Sequence, residues 1–198
     1  MYCAAWARTL IHHVSMKPHS RKVVTALPLL LLAGALSACA GGGGRGGDVA
    51  HYPGLSCAPF ARALTGLQLT GDAAAWWDEA DGRYPRVHAP QVGGALVFAR
   101  SLRLPSGHVS VVSRLDGPRQ IAVIQANWVP GQLARDEMVV DVSAAGDWSL
   151  VRVWYTPSHQ LGTHLYATYG FVLPDRLRGH DALAALAEPA AARLLARD

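Results

Sequence analysis

Cys57, His108 and the nearby pair Gln125 and Asn127 are the residues whose types and order could do chemistry. A cysteine attacks a carbonyl carbon as thiolate, so it needs a base within hydrogen-bond reach. The base must also return the proton to a leaving amine, and imidazole, titrating near neutral pH, suits both tasks. A third group must then orient the far ring nitrogen. Gln125 and Asn127 are both candidates: one residue separates them, so on a strand both can face the same way. Such a set would cleave an amide bond through a thioester.

The elements that must hold these groups can be read around them. Cys57 lies in Gly54-Leu-Ser-Cys-Ala-Pro-Phe-Ala-Arg-Ala-Leu64. Ser56 can cap a helix, Pro59 fits its first turn, Phe60, Ala63 and Leu64 give an apolar face, and Gly66 offers a stop. A sulfur at that end sits in the positive field of the helix, which is expected to lower the thiol pKa. Beyond residue 50 the histidines are His51, His88, His108, His159, His164 and His180. His108 stands out because Gly107 precedes it and Val109-Ser-Val-Val112 follows, placing it at the mouth of a strand. Alternation puts His108, Ser110 and Val112 on one face.

Asp72 is expected to cap a second short helix through Ala73 to Trp77, ending near Gly82. Then come short runs rich in β-branched and aromatic residues: 95–98, 108–112, 121–125, 138–142 and 150–155. Residues 166–173 offer a last strand before Pro174, and 181–197 reads as a helical tail interrupted at Pro189. Helices first and strands afterward predict an α+β fold, N-terminal helices packed on an antiparallel β-sheet.

The chain has 198 residues, 51% of them hydrophobic, enough to bury one core. Its pI near 9.2 suggests a polyanion partner. However, residues 1–39 hold four of the 18 basic residues and none of the 14 acidic ones, so from Ala40 onward the chain is formally neutral. That removes the electrostatic case for nucleic acid. Lys17, Arg21 and Lys22 before the apolar run Val23 to Ala38 have the plan of an export signal, too short and too interrupted by Pro28 for a permanent span. Met16 is the better initiator. Leu36-Ser-Ala-Cys39 looks like a lipobox, which implies a lipid anchor at Cys39 in a bacterial cell envelope; the alternative is soluble secretion. Residues 40–50 form a glycine-rich linker, the folded domain is expected over 51–174, and 175–198 is the tail. Cys57 is then the one free thiol, in a compartment where disulfides would be permitted.

The ordered set of Cys57, Pro90-Gln-Val-Gly-Gly-Ala-Leu-Val97, Gly107-His-Val-Ser-Val-Val112 and Val123-Ile-Gln-Ala-Asn-Trp128 resembles the cysteine, histidine-dependent amidohydrolase/peptidase (CHAP) family of papain-like and NlpC-like thiol hydrolases. The resemblance covers His51 to Pro174. It implies a papain-like fold, Cys57 as nucleophile, His108 as base and then acid, Asn127 as the orienting residue and no cofactor. Apart from His12-His13, no pair of histidines or cysteines stands at the short spacing of a zinc site, although His159 and His164 are five apart, so no metal is expected. It further implies peptidoglycan as substrate, cut between muramic acid and alanine or within stems and bridges. Many members carry glutamate where Gln125 stands, and a neutral amide stabilises imidazolium less.

Each residue also has a plainer reading. Cys57 alone would be a small buried hydrophobe, and His108 alone a polar strand end. Gln125 is either site-facing or a satisfied sheet residue. Trp76, Trp77 and Trp128 are packing groups or groove linings, with Trp128 the best groove candidate because it adjoins Asn127. At the level of the whole chain, the alternative to a hydrolase is a lipoprotein that keeps the fold as a wall-binding or regulatory module.

Overall fold

The computed structural model describes residues 47–197. The signal segment, Cys39 and linker residues 40–46 lie outside the described residues. The elements run β1 (Asp48–His51), α1 (Cys57–Thr65), a 3-10 turn (Ala73–Ala75), the single turn α2 (Trp76–Glu79), β2 (Arg86–Val87), β3 (Ala95–Phe98), β4 (His108–Gly117), β5 (Gln120–Ala126), β6 (Gln132–Asp141), β7 (Leu150–Tyr155), β8 (Gln160–Leu161), β9 (Tyr166–Val172) and α3 (His180–Leu195). The first strand thus begins at Asp48, inside the stretch read as linker.

The sheet is a closed barrel, which corrects the expectation of N-terminal helices packed on a sheet. Strands β6, β5, β4, β3, β9 and β7 pair in that order, all antiparallel, and β7 pairs back onto β6 through Val139–Val153, Val140–Arg152 and Asp141–Val151. β1, β2 and β8 add to β6, β9 and β7. Few helices accompany this barrel, and the second one foreseen is only a 3-10 turn and a single α-turn. The strands were legible as apolar runs, but closure depends on which distant strands pair, and local alternation does not encode that.

Closure separates two cores. Leu96, Phe98, Val112, Ile121, Val123, Val139, Val151, Val153 and Phe171 fill the barrel interior. Ala95, Val97, Val109, Val111, Ile124 and Ala126, on the opposite faces of β3, β4 and β5, pack against Phe60, Ala61 and Leu64 of α1 and Leu183, Ala187 and Ala191 of α3. The period-two alternation of these strands therefore serves both sides, with apolar residues on both faces and the polar His108, Ser110 and Gln125 among those on the barrel side.

α1 ends as expected, with Gly66 in the left-handed region at φ 82° and its amide bonded to the Arg62 carbonyl. Its start differs: Ser56 has extended cap geometry, but its side chain caps no amide. α3 runs unbroken through Pro189. Pro189 and Ala185, whose carbonyl the proline leaves unpaired, both face solvent, so water can serve that carbonyl. Glu188 on α3 takes bonds from Tyr52 and Arg135, and His180 Nε2 bonds Asp136 Oδ2 at 3.0 Å. Ser113 donates to the other Asp136 oxygen at 2.6 Å. Serine and histidine thus meet the carboxylate rather than each other, an arrangement that fastens the tail and is not a nucleophile pair.

Candidate active site

Cys57 is the first residue of α1 and is half-buried against the helix-side core. Burial pushes its thiol pKa up, while backbone amides of Val109, Ala58 and Cys57 itself pull it down. Burial is the larger influence, so the expected lowering by the helix terminus is overturned: the helix field acts, but desolvation outweighs it. Val109 is the residue after His108, so the sulfur lies at the start of β4.

His108 opens β4, and its placement depends on Gly107. Gly107 has φ +70°, and a Cβ there would lie 2.5 Å from the Ala74 Cβ and 2.7 Å from the Phe98 carbonyl oxygen. This tight passage brings the chain from the 3-10 turn into β4. His108 then faces the barrel side, paired with Phe98 across the ladder. Its ring meets Phe98 at 5.4 Å and Trp128 at 5.0 Å between centroids, both edge-on, and the residue is only 3% exposed. Burial pushes its pKa down to about 4, partly offset by Gln125. Cys57 lies on the helix side of this barrel wall and His108 on its inner side, both near the start of β4.

Gln125 and Asn127 part company here. His108 Nε2 and Gln125 Oε1 are 2.9 Å apart, both groups buried. Asn127 instead sits in the left-handed region at φ 62°, and its Oδ1 accepts the Gly131 amide at 2.9 Å. Its own amide bonds the Gln132 carbonyl, so Asn127 closes the turn between β5 and β6. The carbonyl that was to orient the imidazole is engaged in that turn.

Gln125 leads to residues that sequence reasoning missed. Its Nε2 donates to Glu137 Oε2 at 2.5 Å, and Thr156 Oγ1 donates to Glu137 Oε1 at 2.7 Å. Glu137 is 1% exposed, and burial pushes its pKa up against the pull of Thr156 and Gln125. A bulge aims it inward. Between the pairs Gln125–Ala134 and Val123–Glu137, β6 has one more residue than β5, and Asp136 there has φ 56°. Leu133 consequently faces the helices while Val139 faces the barrel, although they stand six positions apart and strict alternation would put them on one face. The one signal in the sequence was a carboxylate directly ahead of the apolar run Met138-Val-Val140.

The tryptophans also separate. Trp76 is fully buried in the helix-side core, and Trp77 stacks on Tyr169 with the Arg86 guanidinium over its ring. Trp128 touches His108 on one side and Tyr166, at 4.8 Å, on the other. It lines a cleft of about 360 Å³ together with Arg103, Tyr155, Gln160, His164 and Tyr166.

A thiol at a helix start packed against the strand that an imidazole opens, with an amide on one ring nitrogen, is an arrangement that thiol hydrolases use. Residues 47–127 match the CHAP domain family. A CHAP domain implies hydrolase activity of the peptidoglycan type. The match spans β1 to the end of β5, so Trp128, Glu137 and Thr156 lie beyond it. Neither the curated proteins nor the solved structures gave a match.

Proposed function

We propose that this chain is a thiol hydrolase that cleaves amide bonds of peptidoglycan, either muramoyl-alanine bonds or bonds within stems and bridges. Cys57 is the nucleophile, His108 the base and then the acid, and Gln125, rather than Asn127, the residue that orients the imidazole. The observation that carries this reading is the Nε2 bond to Gln125. It leaves Nδ1 as the basic nitrogen, on a ring whose next residue touches the sulfur.

In the reaction, Nδ1 takes the thiol proton as sulfur attacks the carbonyl carbon. The tetrahedral oxyanion forms beside the Cys57 amide at the start of α1. Imidazolium gives its proton to the leaving nitrogen as the C–N bond breaks, leaving a thioester. Water, deprotonated by Nδ1, then releases the acid and restores the thiol. The cleft beyond Trp128 suits a substrate arm, with Arg103 available to a carboxylate and Trp128 and Tyr166 to sugar or peptide faces. Lipidation at Cys39 would hold the domain at an envelope membrane on the tether before β1, and secretion without lipid remains the alternative.

The test is digestion of purified peptidoglycan by the chain from Ala40 onward beside its Cys57→Ala variant, with mass analysis of released fragments. New fragments from the native chain alone support the hydrolase and identify the bond. Absence of release, with both forms pelleting equally with the wall, moves the reading to a wall-binding module.

A further inference from the structure

The buried chain His108–Gln125–Glu137–Thr156 has a direction. A carboxylate only accepts hydrogen bonds, whereas an amide end is either donor or acceptor. With Thr156 donating to one Glu137 oxygen, the other must take a donor, and that donor is the Gln125 NH2 at 2.5 Å. The amide therefore presents its oxygen to His108, and an oxygen at 2.9 Å calls for N–H on Nε2. The neutral ring then carries its lone pair on Nδ1.

We propose that Glu137 is a positioning residue that fixes the tautomer of His108 through Gln125, so that Nδ1 is the base. All three side chains are at most 3% exposed, so water does not compete for these bonds. Glu137 also places a negative charge behind the imidazolium formed in the reaction, with Gln125 between them. The charge that a glutamate at position 125 would supply directly is displaced one side chain outward along the same line. Its kinetic consequence rests on the hydrolase reading above, and its structural consequence does not.

The deciding variants are Glu137→Gln and the exchange Gln125→Glu with Glu137→Gln, both isosteric. In Glu137→Gln the two amides can satisfy one another in either direction, so both tautomers are populated. In the exchange, the carboxylate moved to position 125 accepts from His108 and from the amide moved to position 137. The oxygen of that amide accepts from Thr156, and the direction is restored. Nitrogen NMR of the labelled chain should show Nε2 protonated and Nδ1 bare in the native protein, a mixture in Glu137→Gln, and the native pattern in the exchange.

On peptidoglycan, Glu137→Gln should lose about tenfold or more in kcat with KM little changed, and the exchange should recover most of it. A native protein protonated on Nδ1 overturns the proposal without any variant. So does a Glu137→Gln variant that keeps the native nitrogen pattern. A native protein with the expected nitrogen pattern but no turnover refutes the hydrolase and leaves the role of Glu137 supported.

Discussion

Replacing Gly107 by alanine tests whether the turn ahead of β4 positions the base. At φ +70° an L-residue costs about 1–2 kcal/mol. The new methyl would meet the Ala74 Cβ at 2.5 Å, the Phe98 oxygen at 2.7 Å and the Ala74 nitrogen at 2.8 Å. None of these is a flexible side-chain tip. Ala74 is tied to the Ser106 carbonyl and Phe98 to β4, so the backbone must shift, at about 1–3 kcal/mol more. Gly71 supplies the control, with φ +66° and nothing within 4 Å of an added Cβ. Gly71→Ala should therefore pay only the conformational part. For a domain of this size each kcal/mol lowers the melting temperature by about 2–4 °C, giving about 4–20 °C for Gly107→Ala and about 2–8 °C for Gly71→Ala. The assay is thermal unfolding by circular dichroism, followed by peptidoglycan turnover well below both transitions. There Gly107→Ala should lose at least about tenfold in kcat because the imidazole moves with its neighbour, while Gly71→Ala stays near native. Equal melting temperatures for the two variants would refute the steric argument, and native turnover in Gly107→Ala would refute its link to His108.

Alkylation of Cys57 by iodoacetamide should have its midpoint above the roughly pH 8.5 of a free cysteine, because burial raises the thiol; a midpoint below that value would mean a thiolate–imidazolium pair at rest. Gln125→Leu should cut kcat by about 10- to 100-fold, whereas Asn127→Gly, which suits the left-handed turn, should stay within about threefold; the reverse order would return the orienting role to Asn127. His108 is held neutral down to about pH 4, while its unfolded form takes a proton near 6.5. Its contribution is therefore fully present above about pH 6.5 and falls away toward pH 4, by up to about 3 kcal/mol. Denaturant titrations across that window should show a shallower acid loss in His108→Gln, and parallel curves would contradict the burial of the ring.

The placement of the candidate residues was legible where chemistry coincides with local pattern. Cys57 before Pro59 and His108 after Gly107 mark a helix start and a strand start, and both elements begin at those residues. The choice between Gln125 and Asn127 was not legible. Both suit a strand face, but β5 ends at Ala126, and Asn127 takes up the left-handed turn that asparagine tolerates well. Glu137 was hidden for a different reason. Strict alternation assigns it to the face of Leu133, and only the extra residue at Asp136 turns it inward. Bulges and barrel closure arise from pairing between distant strands, and neither leaves a period in the sequence.

In the proposed mechanism, the depth of His108 explains why the outer partners matter. A ring 3% exposed resists protonation, yet the reaction must form imidazolium for the moment between attack and collapse. With the thiol pushed up and the imidazole pushed down, the resting pair is neutral on both sides. A neutral pair needs no counter-ion at rest, and a protonated thiol is less prone to oxidation than a thiolate. The proton then has to move together with sulfur attack, which demands a ring already in the reactive tautomer. Gln125 alone could not choose that tautomer, since an amide offers either end. The carboxylate behind it makes the choice, and the barrel interior, apolar over most of its length, admits these polar groups only at the rim where Thr156 and the Asp136 bulge can hold them.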